Sequence, residues 1–457
     1  MNIVIAGCGN VGLTIAKKLI SENHNVTIIE QSEEVVNRYR NDLDALFIEG
    51  DAVNIKVLKD AGIQNASLYL AVTSNDNTNI VSAQLARKLA GDNELIIVAK
   101  VENTPYYFNY KTISPKDFNI DFVIDPKQLT INKIISLINC PEALEVITYA
   151  NKQVELIGLS VSDSFSLFNQ TLLELNSYDE NFNSIRIVAI HRNDNIIIPR
   201  GNDCILKGDK VYIVGKKENI RNVINKHFNS NIKINNVVVV GNTLKAKDLA
   251  LRLKEERFSV SMIIQDSHVA ELFAEDLDGI LIVNGSATDQ SVLSEIRVEN
   301  SCFVCISDDD EYNIISAVTA RKNKASKAIS VITNIELVSI INSMPYIDAV
   351  FSPHRLSVGE ILKFCRKGNI LSVFNFSEIN AETMDVEISE EIAILNKPIK
   401  TIKFPNEMII GVIIRDDQVI IPTGDDVVML NDKLIVFLTP NGLSDTESIF
   451  NHMKGNK

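Results

Sequence analysis

Ile3-Val4-Ile5-Ala6-Gly7-Cys8-Gly9-Asn10-Val11-Gly12 opens the chain with a β-prone run, a G-x-G-x-x-G turn and then an amphipathic stretch over Val11–Leu19. Strand, glycine turn and helix in that order form the first unit of a nucleotide-binding parallel sheet. Gly7 permits the tight turn, Gly9 lets backbone approach a pyrophosphate, and Gly12 lets the helix pack close to the sheet. The helix start offers free N–H groups and a positive dipole end to phosphate, with Cys8 placed over it and Asn10 and Val11 in the same loop. Glu30 ends the second β-prone run. A carboxylate there accepts both ribose hydroxyls and repels a 2′-phosphate, which favours NAD(H) or an adenine nucleotide over NADP(H).

Outward from this motif the alternation continues. Ile3–Ala6, Val26–Ile29, Leu46–Ile48, Leu68–Val72 and Leu95–Val101 read as strands. Val11–Leu19, Glu33–Arg40, Ile55–Ala61 and Asn79–Leu89 read as helices between them. Such spacing predicts a doubly wound parallel sheet, with ligands at the carboxyl ends of its strands. Asp51-Ala52 follows the third strand: Asp51 either meets the adenine edge or caps the helix from Asn54. Thr73-Ser74 follows the fourth and either bonds phosphate or ribose or caps the next helix. Lys100 ends the fifth, either reaching phosphate or standing as a solvated rim lysine.

The chain then repeats itself. Ile187 to Gly201 matches Ile410 to Gly424 without a gap, each reading strand, Asp-containing turn, strand and Pro-x-Gly turn. Ile124-Asp125-Pro126 through Thr130 matches Phe351-Ser352-Pro353 through Ser357, where Pro opens a helix at its first turn. Val4-Ile5-Ala6-Gly7 matches Val238-Val239-Val240-Gly241. The predicted fold is α/β: two Rossmann-like doubly wound parallel-sheet domains alternating with two small α+β domains. The expected boundaries are 1–140, 141–230, 231–366 and 367–457.

Bulk properties narrow the function. A net charge of −14 argues against nonspecific nucleic-acid binding and against docking on an acidic membrane surface. The N-terminus has no basic and apolar leader pattern, and apolar runs are only strand-length, so a cytoplasmic protein that reaches a membrane only through a partner is expected. Six cysteines in 457 residues make no disulfide framework. Cys302-Phe303-Val304-Cys305 reads as a core strand rather than a metal or redox site.

Taken with the tandem repeat, Gly7 to Gly12, Glu30, Glu49-Gly50-Asp51-Ala52, Ala71-Val72-Thr73 and Ile124-Asp125-Pro126 resemble the TrkA family, the tandem-RCK (KTN) peripheral subunits of bacterial Trk potassium-uptake systems. The resemblance implies a ring of RCK units on the inner face of the membrane, beneath a TrkH- or TrkG-type potassium-translocating subunit. Four chains with two units each would supply eight units. It further implies NAD(H), ATP or ADP as effectors held by Gly7 through Gly12, Glu30, Asp51, Thr73-Ser74 and Lys100. The family usually has Arg where Lys100 stands, and a point charge grips phosphate less well than a planar fork.

The second half departs from this pattern. Gly241-Asn242-Thr243-Leu244-Lys245-Ala246 keeps only the first glycine, Asp266 is offset from the position of Glu30, and Ser286 replaces Asp51. Ser307-Asp308-Asp309-Asp310-Glu311 would repel phosphate and reads as a helix start with dipole-favoured carboxylates. Gly241, Asn242, Asp266 and Ser307 therefore mark at most a weak second site. Two rival readings are an NAD-dependent dehydrogenase and the regulator of an efflux-type potassium system. The first has only Tyr107-x-x-x-Lys111 in its favour, with no convergent acid/base set, so no catalytic residue and no metal is expected.

Overall fold

In the computed structural model the described residues are 1–450 except 92, 110, 163–164, 194, 229–231, 342–345, 366–369, 377–378, 380, 391, 393 and 443–448. Asp194 of the first repeated hairpin, and the boundaries expected at 230/231 and 366/367, lie outside the described residues.

The first sheet holds β1 (Asn2–Ala6), β2 (Asn25–Glu30), β3 (Leu46–Glu49), β4 (Leu68–Ala71), β5 (Ile96–Lys100) and β6 (Phe122–Ile124) in the order β3-β2-β1-β4-β5-β6, all parallel. The strand order reverses beside β1, so the crevice at the carboxyl ends of β1 and β4 is where such a sheet takes a ligand. Helices α1 (Asn10–Ser21), α2 (Glu33–Tyr39), α3 (Ile55–Asp60) and α4 (Asp76–Ala90) make the crossovers, followed by the short α5 (Thr104–Tyr107) and by α6 (Pro126–Ile138). Strands buried on both faces explain the continuous apolar runs: Val4, Ala6, Tyr69, Ala71, Ile97 and Ala99 share one core.

The second sheet is antiparallel: β7 (Ala143–Tyr149), β8 (Val154–Ser160), β9 (Ile185–Arg192), β10 (Asn195–Ile197) and β11 (Lys210–Lys216), with α7 (Leu172–Tyr178) and α8 (Lys217–His227). The third repeats the first, as β12 (Asn236–Val240), β13 (Ser259–Ile264), β14 (Leu281–Asn284), β15 (Cys302–Cys305), β16 (Lys327–Val331) and β17 (Ala349–Phe351) in the order β14-β13-β12-β15-β16-β17. Its helices are α9 (Leu244–Glu255), α10 (Ser267–Asp276), α11 (Gln290–Glu295), α12 (Asp310–Lys322), α13 (Ile335–Ile341) and α14 (Pro353–Leu362). The fourth is antiparallel again, with β18 (Ile370–Asn375), β19 (Glu382–Glu387), β20 (Met408–Arg415), β21 (Gln418–Ile420) and β22 (Lys433–Leu438). The expected alternation of two Rossmann-like sheets with two antiparallel ones is borne out.

The chain folds as two compact units, and they do not follow the sequence halves. One joins residues 1–130 to α14, and the other holds 131–352 with the fourth sheet. In the first unit α14 packs on α1, and the Phe364 ring lies tilted against Phe122 of β6, 4.5 Å between centroids. In the second, the two antiparallel sheets share a core of Val188, Tyr212, Val214, Val412, Ile435 and Phe437. There the fully buried Lys327 donates to the carbonyls of Leu137, Cys140 and Ala143, closing the C-terminal end of α6. Cys302 and Cys305 are buried as expected; burial pushes the Cys302 thiol up to about 12 and Cys305 well above its ordinary value.

Candidate nucleotide site

The glycine loop has the geometry its sequence predicts. Gly7 sits at φ +102°, and a Cβ there would lie 2.9 Å from Thr73 Cα, so only glycine fits the turn beside β4. A Cβ on Gly12 would lie 1.9 Å from the Gly7 carbonyl oxygen. In front of Gly9 a Cβ meets nothing within 4 Å, and Gly9 gives α1 no side-chain cap. The first N–H groups of α1 therefore face an opening rather than a protein acceptor.

Glu30 is held at the end of β2 by two amides: Cys8 N–H donates to Oε2 at 2.7 Å and Ser32 N–H to Oε1 at 3.0 Å. A carboxylate offers about four acceptor positions, so about two remain for hydroxyl donors. Cys8 is buried, and burial first, then the Glu30 charge, pushes its thiol up to about 11. It stays protonated, which removes the thiolate that redox chemistry would need.

The other candidates line the same sheet edge in different states. Asp51 Oδ1 accepts the Val53 N–H at 3.0 Å, closing a turn, while Asn54 caps α3 by accepting from Lys56. The helix-cap reading of Asp51 therefore fails, and Ala52 beside it is buried. Asn75 caps α4, leaving Ser74 exposed and Thr73 free of capping duty. Lys100 is mostly buried and its Nζ lies 3.4 Å from Glu102 Oε1, so its charge has a carboxylate partner.

One residue escaped the sequence reading. Asn79, fully buried on α4, accepts from Thr73 N–H and Oγ1 at 2.9 and 2.7 Å, and donates to the carbonyls of Thr73 and Lys100. It fixes the β4 loop against the end of β5. The repeat contained the signal: Asn313 does the same with Ser307 N–H, Oγ and carbonyl, and with the Val331 carbonyl.

The second-half residues are used differently. Gly241 keeps the strained φ of +149°, but Thr243 caps α9 by accepting from Ala246 N–H at 3.2 Å. Asn242 precedes that cap. Asp266 caps α10 through Val269 N–H, and the strand residue in register with Glu30 is the buried Ile264. Of the acidic loop, Asp309 caps α12, and Asp310 accepts from Thr333 and Asn334. Tyr107, of the Tyr-x-x-x-Lys pattern, donates to Asn77 and packs edge-on against Tyr106, 5.0 Å away.

This geometry, twice over, agrees with what the chain resembles. The TrkA-N domain matches residues 3–126 and 237–353, and the TrkA-C domain matches 157–227 and 384–451. The chain belongs to the TrkA family. A Trk system potassium uptake protein TrkA homolog of Archaeoglobus fulgidus is 30% identical over 454 residues, covering 98% of this chain and all of that protein. The Trk system potassium uptake protein TrkA of Haemophilus influenzae is 28% identical, covering 98% of each. Among solved structures, the GsuK RCK domain superposes with TM-score 0.60 at 15% identity, over 98% of this chain and 94% of that one. The GsuK channel bound to NAD gives 0.61 at 14%, over 98% and 79%. At those identities the likeness fixes the fold: tandem TrkA-N and TrkA-C domains with RCK architecture. No helix among the described residues is long and apolar enough to cross a membrane.

Proposed function

We propose that this TrkA-family chain is the nucleotide-sensing regulatory subunit of a potassium-uptake system, acting on the cytoplasmic face of the membrane. NAD(H) is the primary ligand, with ATP and ADP as alternative effectors. It binds at Gly7 through Gly12, Glu30, Asp51, Ala52, Thr73, Ser74 and Lys100. The observation that carries this reading is the Glu30 carboxylate, oriented by two backbone amides beside an uncapped helix start. Gly241, Asn242, Asp266 and Ser307 mark a degenerate copy whose polar groups already serve the fold. The four domains take the limits 1–140, 141–230, 231–366 and 367–457.

The partner is a TrkH- or TrkG-type membrane subunit, and the assembly is a tetramer of eight RCK units. Exposed apolar residues recur at matching positions of the two parallel-sheet domains, Val81 with Ile315 and Leu46 with Leu281. Repeated apolar positions on water-facing surfaces suit a repeated contact in a ring. Ligand binding changes ring packing only through different affinities for two ring states.

A catalytic reading is disfavoured. Ser166 Oγ, His227 and Asp179 form a hydrogen-bonded string of 2.9 and 2.6 Å, yet the Ser166 N–H already donates to the His227 carbonyl. The amide that would help hold an oxyanion is thus occupied. Equilibrium dialysis of the purified chain with NADH and NADPH tests the proposal. NADH binding with NADPH at least tenfold weaker is expected, and equal affinities would overturn the role given to Glu30.

A further inference from the structure

Helix α14 is encoded in the second half of the chain, yet its first turn lies against the first turn of α1. The side-chain amide of Asn10 is 3.1 Å from His354 Nε2, and both residues belong to the same compact unit. Asn10 is the first residue of α1 and is exposed. Beside it lies the open face of Gly9, where α1 has no side-chain cap. Two helix N-termini, each carrying partial positive charge, therefore converge at one opening. Like dipole ends repel, and an anion placed near both is favoured by both.

Resting on the nucleotide reading above, we propose that His354 is a positioning and specificity residue of the first-half site. It contacts the phosphate chain beyond the first phosphate. Glu30 fixes the adenosine ribose and the Gly7 loop takes the phosphate next to it. A ligand that continues past Gly9 runs toward Asn10 and reaches the imidazole that Asn10 orients. With the Asn10 amide donating to Nε2, the neutral imidazole carries its proton on Nδ1, and it is that N–H which donates to a phosphate oxygen. The site then distinguishes nucleotides by length: AMP ends before His354, whereas ADP, ATP and NADH extend to it. Because α14 follows the second parallel sheet in sequence, the first site is completed by a residue from the opposite half of the chain.

The test uses the full chain, with equilibrium dialysis of AMP, ADP, ATP and NADH against the wild type, His354→Ala, His354→Gln and Glu30→Ala. Thermal melts establish that each variant folds. His354→Ala is expected to weaken ATP and NADH binding about 5–20-fold, the scale of one hydrogen bond to a charged group. AMP should change less than about twofold, because the lost contact is one AMP does not make. His354→Gln, which keeps an N–H donor and a partner for Asn10, is expected to recover part of the loss. Unchanged ATP and NADH binding in His354→Ala, with all ligands weakened in Glu30→Ala, would overturn this inference and leave the nucleotide reading standing. Equal loss for AMP and ATP would also overturn it, since that pattern marks a structural role. Failure of the wild type to bind any of the four would overturn the site itself.

Discussion

The two parallel sheets have the same strand order and the same loop staples, Asn79 in one and Asn313 in the other. They part company at the groups that would face a ligand. Helix α1 starts at an uncapped Gly9, whereas α9 starts at Thr243, whose own hydroxyl accepts an N–H. Strand β2 ends in a held carboxylate, and β13 ends in buried Ile264. The Ala287 N–H, in the position of Ala52, donates to the Tyr312 hydroxyl at 2.7 Å, and the residue matching Tyr312 in α4 is the shorter Thr78. Residues that keep the fold and residues that bind a ligand are thus separable. The second half retains the former and satisfies internally what the first half presents to solvent.

The sharpest way to break that comparison is Gly12→Ala. Its methyl would meet the Gly7 carbonyl oxygen at 1.9 Å, so overpacking should cost about 3 kcal/mol of stability and abolish NADH binding. The mirror change, Ala246→Gly, should cost only about 1 kcal/mol, the helix penalty of glycine. Thermal and denaturant melts read both, and similar losses would show that the two helix starts are equivalent after all.

Next come the staples, where the halves should agree. Asn79→Ala and Asn313→Ala each strip a buried set of hydrogen bonds and should each cost about 2–3 kcal/mol in denaturant unfolding. A loss confined to one would contradict the shared loop architecture.

Glu30→Ala should weaken NADH binding by about 2 kcal/mol. Its nearest counterpart, Asp266→Ala, should leave binding unchanged and lower stability by about 1 kcal/mol through loss of a helix cap. Calorimetric titration separates the two, and an NADH defect in Asp266→Ala would reinstate a second site.

The smallest effect is expected for Tyr312→Phe. Removing one hydroxyl leaves the Ala287 N–H without its acceptor and should lower stability by about 1 kcal/mol, read as a modest fall in Tm.

Much of this was legible from the chain. Gly7, Gly12 and Glu30 announce themselves because only their residue types satisfy a strained turn, a close helix contact and a ribose acceptor. The internal repeat located the second sheet and its losses. Caps were harder. Asp51, Asn54, Thr73 and Asn75 all carry side chains that can accept a nearby N–H, so spacing alone does not say which closes a turn and which caps the helix. Asn79 was hidden because a buried asparagine on a helix looks like a polar lapse until its four bonds are seen. The pairing of α14 with α1 was out of reach for a different reason: periodicity reports that a helix has an apolar face, not which distant segment covers it.

That pairing also sets a clock on synthesis. The first unit cannot close until α14 has left the ribosome, about 220 residues after residue 130, which at about 5–20 residues per second is a wait of roughly 10–45 s. Throughout that interval the surface of α1 destined for α14 has no native cover. A nascent chain of this protein is therefore a natural client for holding factors, and a stall between residues 130 and 353 would leave a sheet formed but unsealed.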